Sequence, residues 1–143
     1  MGKPVVAVDF GERRIGIAIS DPNRILATPW GTLDTRKTPD PFAAIAALVN
    51  ESGADRILVG YPLHLDGRVS EKAKTVDAFI ARLAERVPGV PVERADERYS
   101  SVEAAGVIRR KKKTKRGGKE AVDRIAAAII LQEYLDGHPG PNA

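Results

Sequence analysis

The sequence predicts one α/β domain: a five-stranded mixed sheet, its first three strands antiparallel, flanked by helices. Three observations carry this. Val5-Val6-Ala7-Val8 is an unbroken apolar run of the kind buried on both faces in the middle of an α/β sheet. After a short polar turn, Ile15, Ile17 and Ile19 alternate with Gly16, Ala18 and Ser20, a period of two that makes a second strand paired antiparallel with the first. From Thr38 onward helical and extended patterns alternate, the order that gives parallel pairing through right-handed crossovers. At 143 residues, with 43% apolar and 29% charged residues, the chain is long enough for a real core and ordinary enough in composition to fold. Residues 1–143 read as a single domain without internal repeats.

Each element has its own signals. Gly11-Glu12-Arg13-Arg14 makes the first turn and Asp21-Pro22-Asn23 the second. A third, less regular strand runs from Ile25 to Leu33, and Pro29 within it suits an edge position. Thr38-Pro39-Asp40-Pro41 supplies N-cap residues with proline at the first helical position. Phe42, Ile45, Ala46 and Val49 follow at helical spacing, and Gly53 supplies the stop. Arg56–Gly60 is a fourth strand. The loop from Tyr61 to Gly67 leaves its carboxyl end, where sheets of this type keep their sites. Ser70 can cap a second helix with Ala73, Val76, Ile80, Leu83 and Val87 as its stripe. Val90–Ala95 is the fifth strand, delivering Asp96-Glu97-Arg98 to the same edge. Ser100 and Glu103 have capping-box spacing, so a third helix starts there. A last helix runs from about Glu120 to Leu135. Val122, Ile125, Ala126, Ile129 and Ile130 share one face, widened by Ala127, Ala128 and Leu131, which predicts a well-buried helix. Residues 137–143 read as a frayed tail. Three strands, helix, strand, helix, strand and two helices is the layout of a ribonuclease H-like domain.

Composition excludes several chemistries. There is no cysteine, hence no disulfide, thiolate metal site or cysteine nucleophile, which is compatible with the cytoplasmic location expected here. His64 and His138 are too far apart in the chain to suggest zinc. No apolar run approaches the roughly 18 residues of a membrane span, and no signal-peptide pattern opens the chain, so no membrane partner is expected. The net charge of +4 is unevenly spread. Residues 109–119 carry Arg109, Arg110, Lys111, Lys112, Lys113, Lys115, Arg116 and Lys119 with no acid, leaving 15 basic against 19 acidic residues elsewhere. A mildly acidic body with one basic segment points to a polyanion as partner. Gly117-Gly118 make that segment a flexible loop, which would hold a phosphate backbone with salt-dependent, largely sequence-independent affinity. No aromatic is interleaved with it, so base stacking there is not expected.

Three acidic positions invite pairing. Asp9 follows the buried run of the first strand, Asp96 or Glu97 ends the fifth, and Asp123 sits three, four and seven residues before Ala126, Ala127 and Ile130 on the packed side of the last helix. A carboxylate leaving water needs a cation or donors to meet it, and converging carboxylates repel unless a cation lies between them. Oxygen ligands alone select hard ions such as Mg²⁺ or Mn²⁺, and a pair of such ions is the recurrent nuclease arrangement. Each acid also has a plainer reading. Asp9 can cap the turn at Gly11 and face solvent, Asp96-Glu97-Arg98 can be a solvated strand end, and Asp123 can be a favourable charge at the positive end of a helix. Ser100 and Ser101 have no base placed to activate them and read as helix caps. Asp9-Phe10-Gly11 with Gly16 also suits the nucleotide-binding turn of actin-like kinases, but those folds need two such domains.

Four blocks together resemble the bacterial YqgF family, whose members are described as Holliday junction resolvases and as pre-16S rRNA nucleases. They are Val8-Asp9-Phe10-Gly11 with Arg14 to Asp21; Val59 to Leu63 with Asp66-Gly67; Asp96-Glu97-Arg98-Tyr99-Ser100; and Val122 to Ala127 with Ile130-Leu131-Gln132. The resemblance covers roughly residues 4–136. It implies a ribonuclease H-like fold and metal-dependent phosphodiester hydrolysis, and it carries the catalytic, metal-holding acids onto Asp9, Glu97 and Asp123, with Asp96 as a neighbour. The expectation is therefore a nuclease using Mg²⁺ or Mn²⁺, two ions, on structured nucleic acid, either four-way junction DNA or precursor rRNA. Arg13, Arg14 and Arg98 are further candidates for phosphate contact. Symmetric cutting of a junction would need a homodimer. The alternative is a non-catalytic nucleic-acid-binding module of the same fold.

Overall fold

The computed structural model describes residues 2–61, 71–96 and 118–138, with Asp96 and residues 118–121 described by their backbone alone. The expected loop after Tyr61, the Ser70 cap, Glu97, Arg98, the third helix, the basic residues Arg109–Arg116 and the end of the tail lie outside the described residues.

The described elements are β1 (Val6–Phe10), β2 (Arg14–Ser20), β3 (Ala27–Asp34), α1 (Pro41–Ser52), β4 (Ile57–Tyr61), α2 (Glu71–Arg86), β5 (Val92–Asp96) and α3 (Gly118–Gly137). The sheet order is β3-β2-β1-β4-β5, with β1, β2 and β3 antiparallel and β1, β4 and β5 parallel. The five-stranded mixed sheet expected from the sequence is thus present. β1 lies at its centre, which is why its run is apolar on both sides. Val6 and Val8 join the core under α1 and α2, while Val5 and Ala7 join the core under α3.

β3 is an edge strand, as its proline suggested. Its register with β2 slips between Ile17 and Ala18, which pair with Gly31 and Pro29 and leave Trp30 unopposed and half-exposed. A proline and a bulge both blunt an edge against pairing with another chain. The preceding turn is held by Asp21, whose Oδ1 accepts the Ile25 and Leu26 N–H groups, both at 2.8 Å. Its Oδ2 accepts the Asn23 N–H at 3.2 Å. These bonds, that from Leu26 foremost, hold the Asp21 carboxyl below its usual value of 3.8. A depressed native pKa contributes stability that is full above the usual value and is lost as pH falls through the native one. Asp21→Ala is expected to lower the melting temperature by about 3–8 °C at neutral pH, with the gap closing as acid protonates the wild-type carboxylate. Thermal scans from neutral pH down to about pH 2 check this. A gap that persists undiminished in acid contradicts it.

The helices follow their signals with instructive departures. Asp40 Oδ1 accepts the Ala43 N–H at 3.1 Å, Pro41 opens α1, and Gly53, at φ 76°, closes it in the left-handed region. In α2 the buried residues are Ala73, Val76, Phe79 and Leu83, with Ile80 only partly covered. Phe79 displaces Ile80 from the expected stripe because its ring meets two others, Phe10 at 4.4 Å and Phe42 at 5.2 Å between centroids. α3 begins at Gly118, so Gly118 and Lys119 belong to the helix and not to the basic loop. Its buried residues are Val122, Ala126, Ala127, Ile130, Leu131 and Leu135, while Ile125 and Ile129 are half-buried at its flanks. The seam is lined by small residues, Ala7 and Ala18 of the sheet against Ala127 of the helix, which lets the two backbones come close. Gln132 fastens the far half of α3. Its Oε1 accepts the Ala27 N–H at 2.9 Å and its Nε2 donates to the Ile25 carbonyl at 3.0 Å.

Candidate active site

Asp9 is the fourth residue of β1 and pairs with Gly16 of β2. Directly opposed residues of an antiparallel pair turn their side chains to the same face. Val5, Ala7 and Ala18, which share that parity, pack under α3, so Asp9 extends their stripe toward the carboxyl end of β1 on the α3 side. It is 9% exposed, so Asp9 does not face solvent. Beyond it, where β1 ends, a cleft of about 410 Å³ is lined by Phe10, Gly11 and Glu12 and by Glu71, Lys72 and Thr75 of α2.

Gly16 is where the helix meets this stripe. A Cβ placed on it would lie 2.0 Å from the carbonyl oxygen of Asp123, 2.2 Å from the carbonyl carbon and 2.8 Å from the Arg124 nitrogen. The backbone of α3 at Asp123 therefore rests on the one residue of β2 that faces Asp9. Two acidic residues 114 positions apart in sequence are neighbours of the same glycine. Asp123 is the sixth residue of α3, past the first turn in which the helix dipole acts, so a dipole charge does not account for it. Its side chain is 16% exposed, and its Oδ2 accepts a hydrogen bond from Arg14 Nε at 3.0 Å. Arg14, Gly16 and Ala18 alternate onto the α3 face of β2, which is how Arg14 reaches the helix.

The other expected residues divide cleanly. Arg13 is half-exposed and lies 3.6 Å from Asp34, whose carboxyl is held below the usual range, first by the Arg36 N–H and then by Arg13 and other nearby cations. Glu97, Arg98 and Arg109–Arg116 lie outside the described residues, and Lys119 is described only as backbone of α3. At the end of β5, Ala95 packs on the α3 side of the sheet. Arg94 turns to the other side, where its Nη2 pairs with Asp77 at 2.8 Å and its guanidinium stands 4.5 Å from the Tyr61 ring centre. Tyr61 donates to the same Asp77 at 2.8 Å, and burial, with that bond, pushes its phenol up. This triad ties the ends of β4 and β5 to α2 just before Asp96. Its only sequence signal is the strand parity of Tyr61 and Arg94, and the partner on α2 is not legible from spacing.

Among the described residues no three acids or histidines gather as a metal-ligand group. The two described acids of the site nevertheless offer the right donors. Carboxylate oxygens alone, one of them nearly buried, suit a hard divalent cation.

The RuvX family, described as Holliday junction resolvase, matches residues 3–137. The chain belongs to this family. Relatives carrying the name "Putative pre-16S rRNA nuclease" include one from Bacteroides fragilis, 39% identical over 138 residues, which covers 92% of this chain and 95% of that protein. Another, from Chloroflexus aggregans, is 40% identical over 137 residues and covers 96% of both. Among solved structures, T. thermophilus RuvC in complex with Holliday junction substrate matches at a TM-score of 0.58 and 12% identity, covering 94% of each chain, which shows the same fold. The span matched to RuvX takes in β1 and β2 with Asp9, Arg14 and Gly16, the acidic end of β5, and α3 with Asp123. This is the family that the four sequence blocks resemble.

Proposed function

We propose that this RuvX-family chain is a divalent-cation-dependent nuclease that hydrolyses phosphodiester bonds in structured nucleic acid, acting in the cytoplasm. The observation that supports the reading is that Asp9 pairs with Gly16 in the β1–β2 ladder while the backbone of α3 at Asp123 lies against the same Gly16. Asp9, held in the central strand, and Asp123, held on the helix that packs against it, would serve as ligands. Glu97 completes the set. Its place in the set follows from the block Asp96-Glu97-Arg98-Tyr99-Ser100, which resembles the family. Mg²⁺ or Mn²⁺ held there would activate a water and neutralise the charge growing on the phosphate, a task often shared by two ions. The chain's own part is to hold three carboxylates in register and to keep the site between sheet and helix. Arg109, Arg110, Lys111, Lys112, Lys113, Lys115, Arg116 and Lys119 would grip the nucleic-acid backbone, with Arg13 and Arg98 as further contacts.

The family description names junction DNA and the relatives' names point to precursor 16S rRNA. One active site suffices for trimming an RNA end, whereas symmetric resolution of a four-way junction needs two related by a dyad. Side-by-side incubation of a four-way junction and a precursor-like RNA with the full chain in Mn²⁺ tests both. Cleavage of at least one substrate, abolished by EDTA, is the expected result. If neither is cut and Mn²⁺ leaves the melting temperature unchanged, the non-catalytic binding module takes its place.

A further inference from the structure

Arg14 is tied to one of the acids of the site. Its Nε donates to Asp123 Oδ2 at 3.0 Å, and both side chains are largely covered, 25% and 16% exposed. The contact is built in at two levels. Strand parity directs Arg14 to the α3 face two residues from Gly16, and the close seat of α3 on Gly16 fixes where Asp123 stands. A largely covered carboxylate raises the energy of the fold unless a positive charge or hydrogen-bond donors accompany it. Arg14 supplies that charge.

We infer that Arg14 is the resident counter-ion of the acidic site, a positioning residue that holds Asp123 until a divalent cation claims the carboxylate, so that ion binding here is an exchange of one cation for another. This rests on the divalent-ion reading given above. Two cations against one carboxylate repel each other, and the repulsion is strongest where water is partly excluded. The guanidinium therefore lowers the affinity for the ion while holding Asp123 in place. Released from Asp123, its planar fork is suited to a phosphate oxygen of the substrate.

The test is calorimetric titration of the full chain with MnCl₂, together with melting temperatures in EDTA, for wild type, Arg14→Gln, Arg14→Lys and Arg14→Gln/Asp123→Asn. Arg14→Gln should bind Mn²⁺ about tenfold more tightly and melt lower in EDTA, with Arg14→Lys close to wild type in both. Adding Asp123→Asn to Arg14→Gln should restore the melting temperature in EDTA, because the charge that Arg14 balanced is gone. Unchanged or weaker Mn²⁺ binding by Arg14→Gln, beside measurable binding by wild type, overturns the exchange and leaves the nuclease reading standing. Absence of Mn²⁺ binding by wild type removes both. If Arg14→Gln does not fold, the arginine Nε–H resonances of wild type decide. One should leave its hydrogen-bonded position when Mg²⁺ is added, and a spectrum indifferent to saturating Mg²⁺ overturns the inference.

Discussion

Replacing Asp9 by Asn is expected to lower Mn²⁺-dependent cleavage by about 1,000-fold or more, a loss of about 4 kcal/mol of transition-state stabilisation. The fold should survive. Asn has the shape of Asp, and the position lies at the end of a stripe, Val5 and Ala7, whose packing under α3 does not depend on the charge. What the change removes is an anionic oxygen from the central strand of the sheet, 9% exposed and opposite the glycine on which Asp123 rests. Cleavage rates with Mn²⁺ and melting temperatures in EDTA, measured on the same preparation, separate the two effects. A variant that melts like wild type and still cuts at the wild-type rate takes Asp9 out of the mechanism.

Gly16→Ala should be nearly as damaging for a different reason. The added Cβ would lie 2.0 Å from a backbone carbonyl oxygen, and no rotamer relieves a clash between a Cβ and a main chain. The helix must retreat by about 1 Å or more, a cost of about 1–3 kcal/mol for overpacking. Because the atoms in the way belong to the backbone of Asp123 and Arg124, the retreat displaces the Asp123 carboxylate, and misplacement on this scale can cost about 100-fold in rate. Gly31→Ala on the neighbouring strand is the control, since a Cβ there meets nothing within 4 Å. Wild-type cleavage by Gly16→Ala would mean that the seat of α3 on β2 does not position the site.

Much of this arrangement is legible along the chain and some of it is not. The buried run Val5–Val8, the alternation Ile15–Ile19, the capping by Asp40 and Gly53 and the edge position signalled by Pro29 are local, and local patterns report them faithfully. Asp9 and Asp123 stand out because a carboxylate on an apolar stripe is costly wherever it falls. Gly16 does not stand out. Within an alternating strand it reads as one more small residue, and its meaning depends on a helix more than a hundred residues later. Phe79 escapes the expected stripe for a similar reason, since two ring contacts from β1 and α1 decide its burial and helical spacing alone favours Ile80. Arg14 reads as a candidate phosphate contact beside a turn. Only the packing of α3 converts it into a partner of Asp123. Gln132, likewise, is an ordinary helix former until the start of β3 and the turn before it present backbone groups to it.

The central claim is that the carboxylates of Asp9, Asp123 and Glu97, from a strand, a helix and the end of another strand, close on a divalent ion. Anomalous diffraction from crystals of the full chain grown with Mn²⁺ locates that ion without reference to activity. A manganese peak coordinated by Asp9 and Asp123, with Glu97 completing the shell, is expected. A peak held by other residues, or none at saturating Mn²⁺, would contradict it.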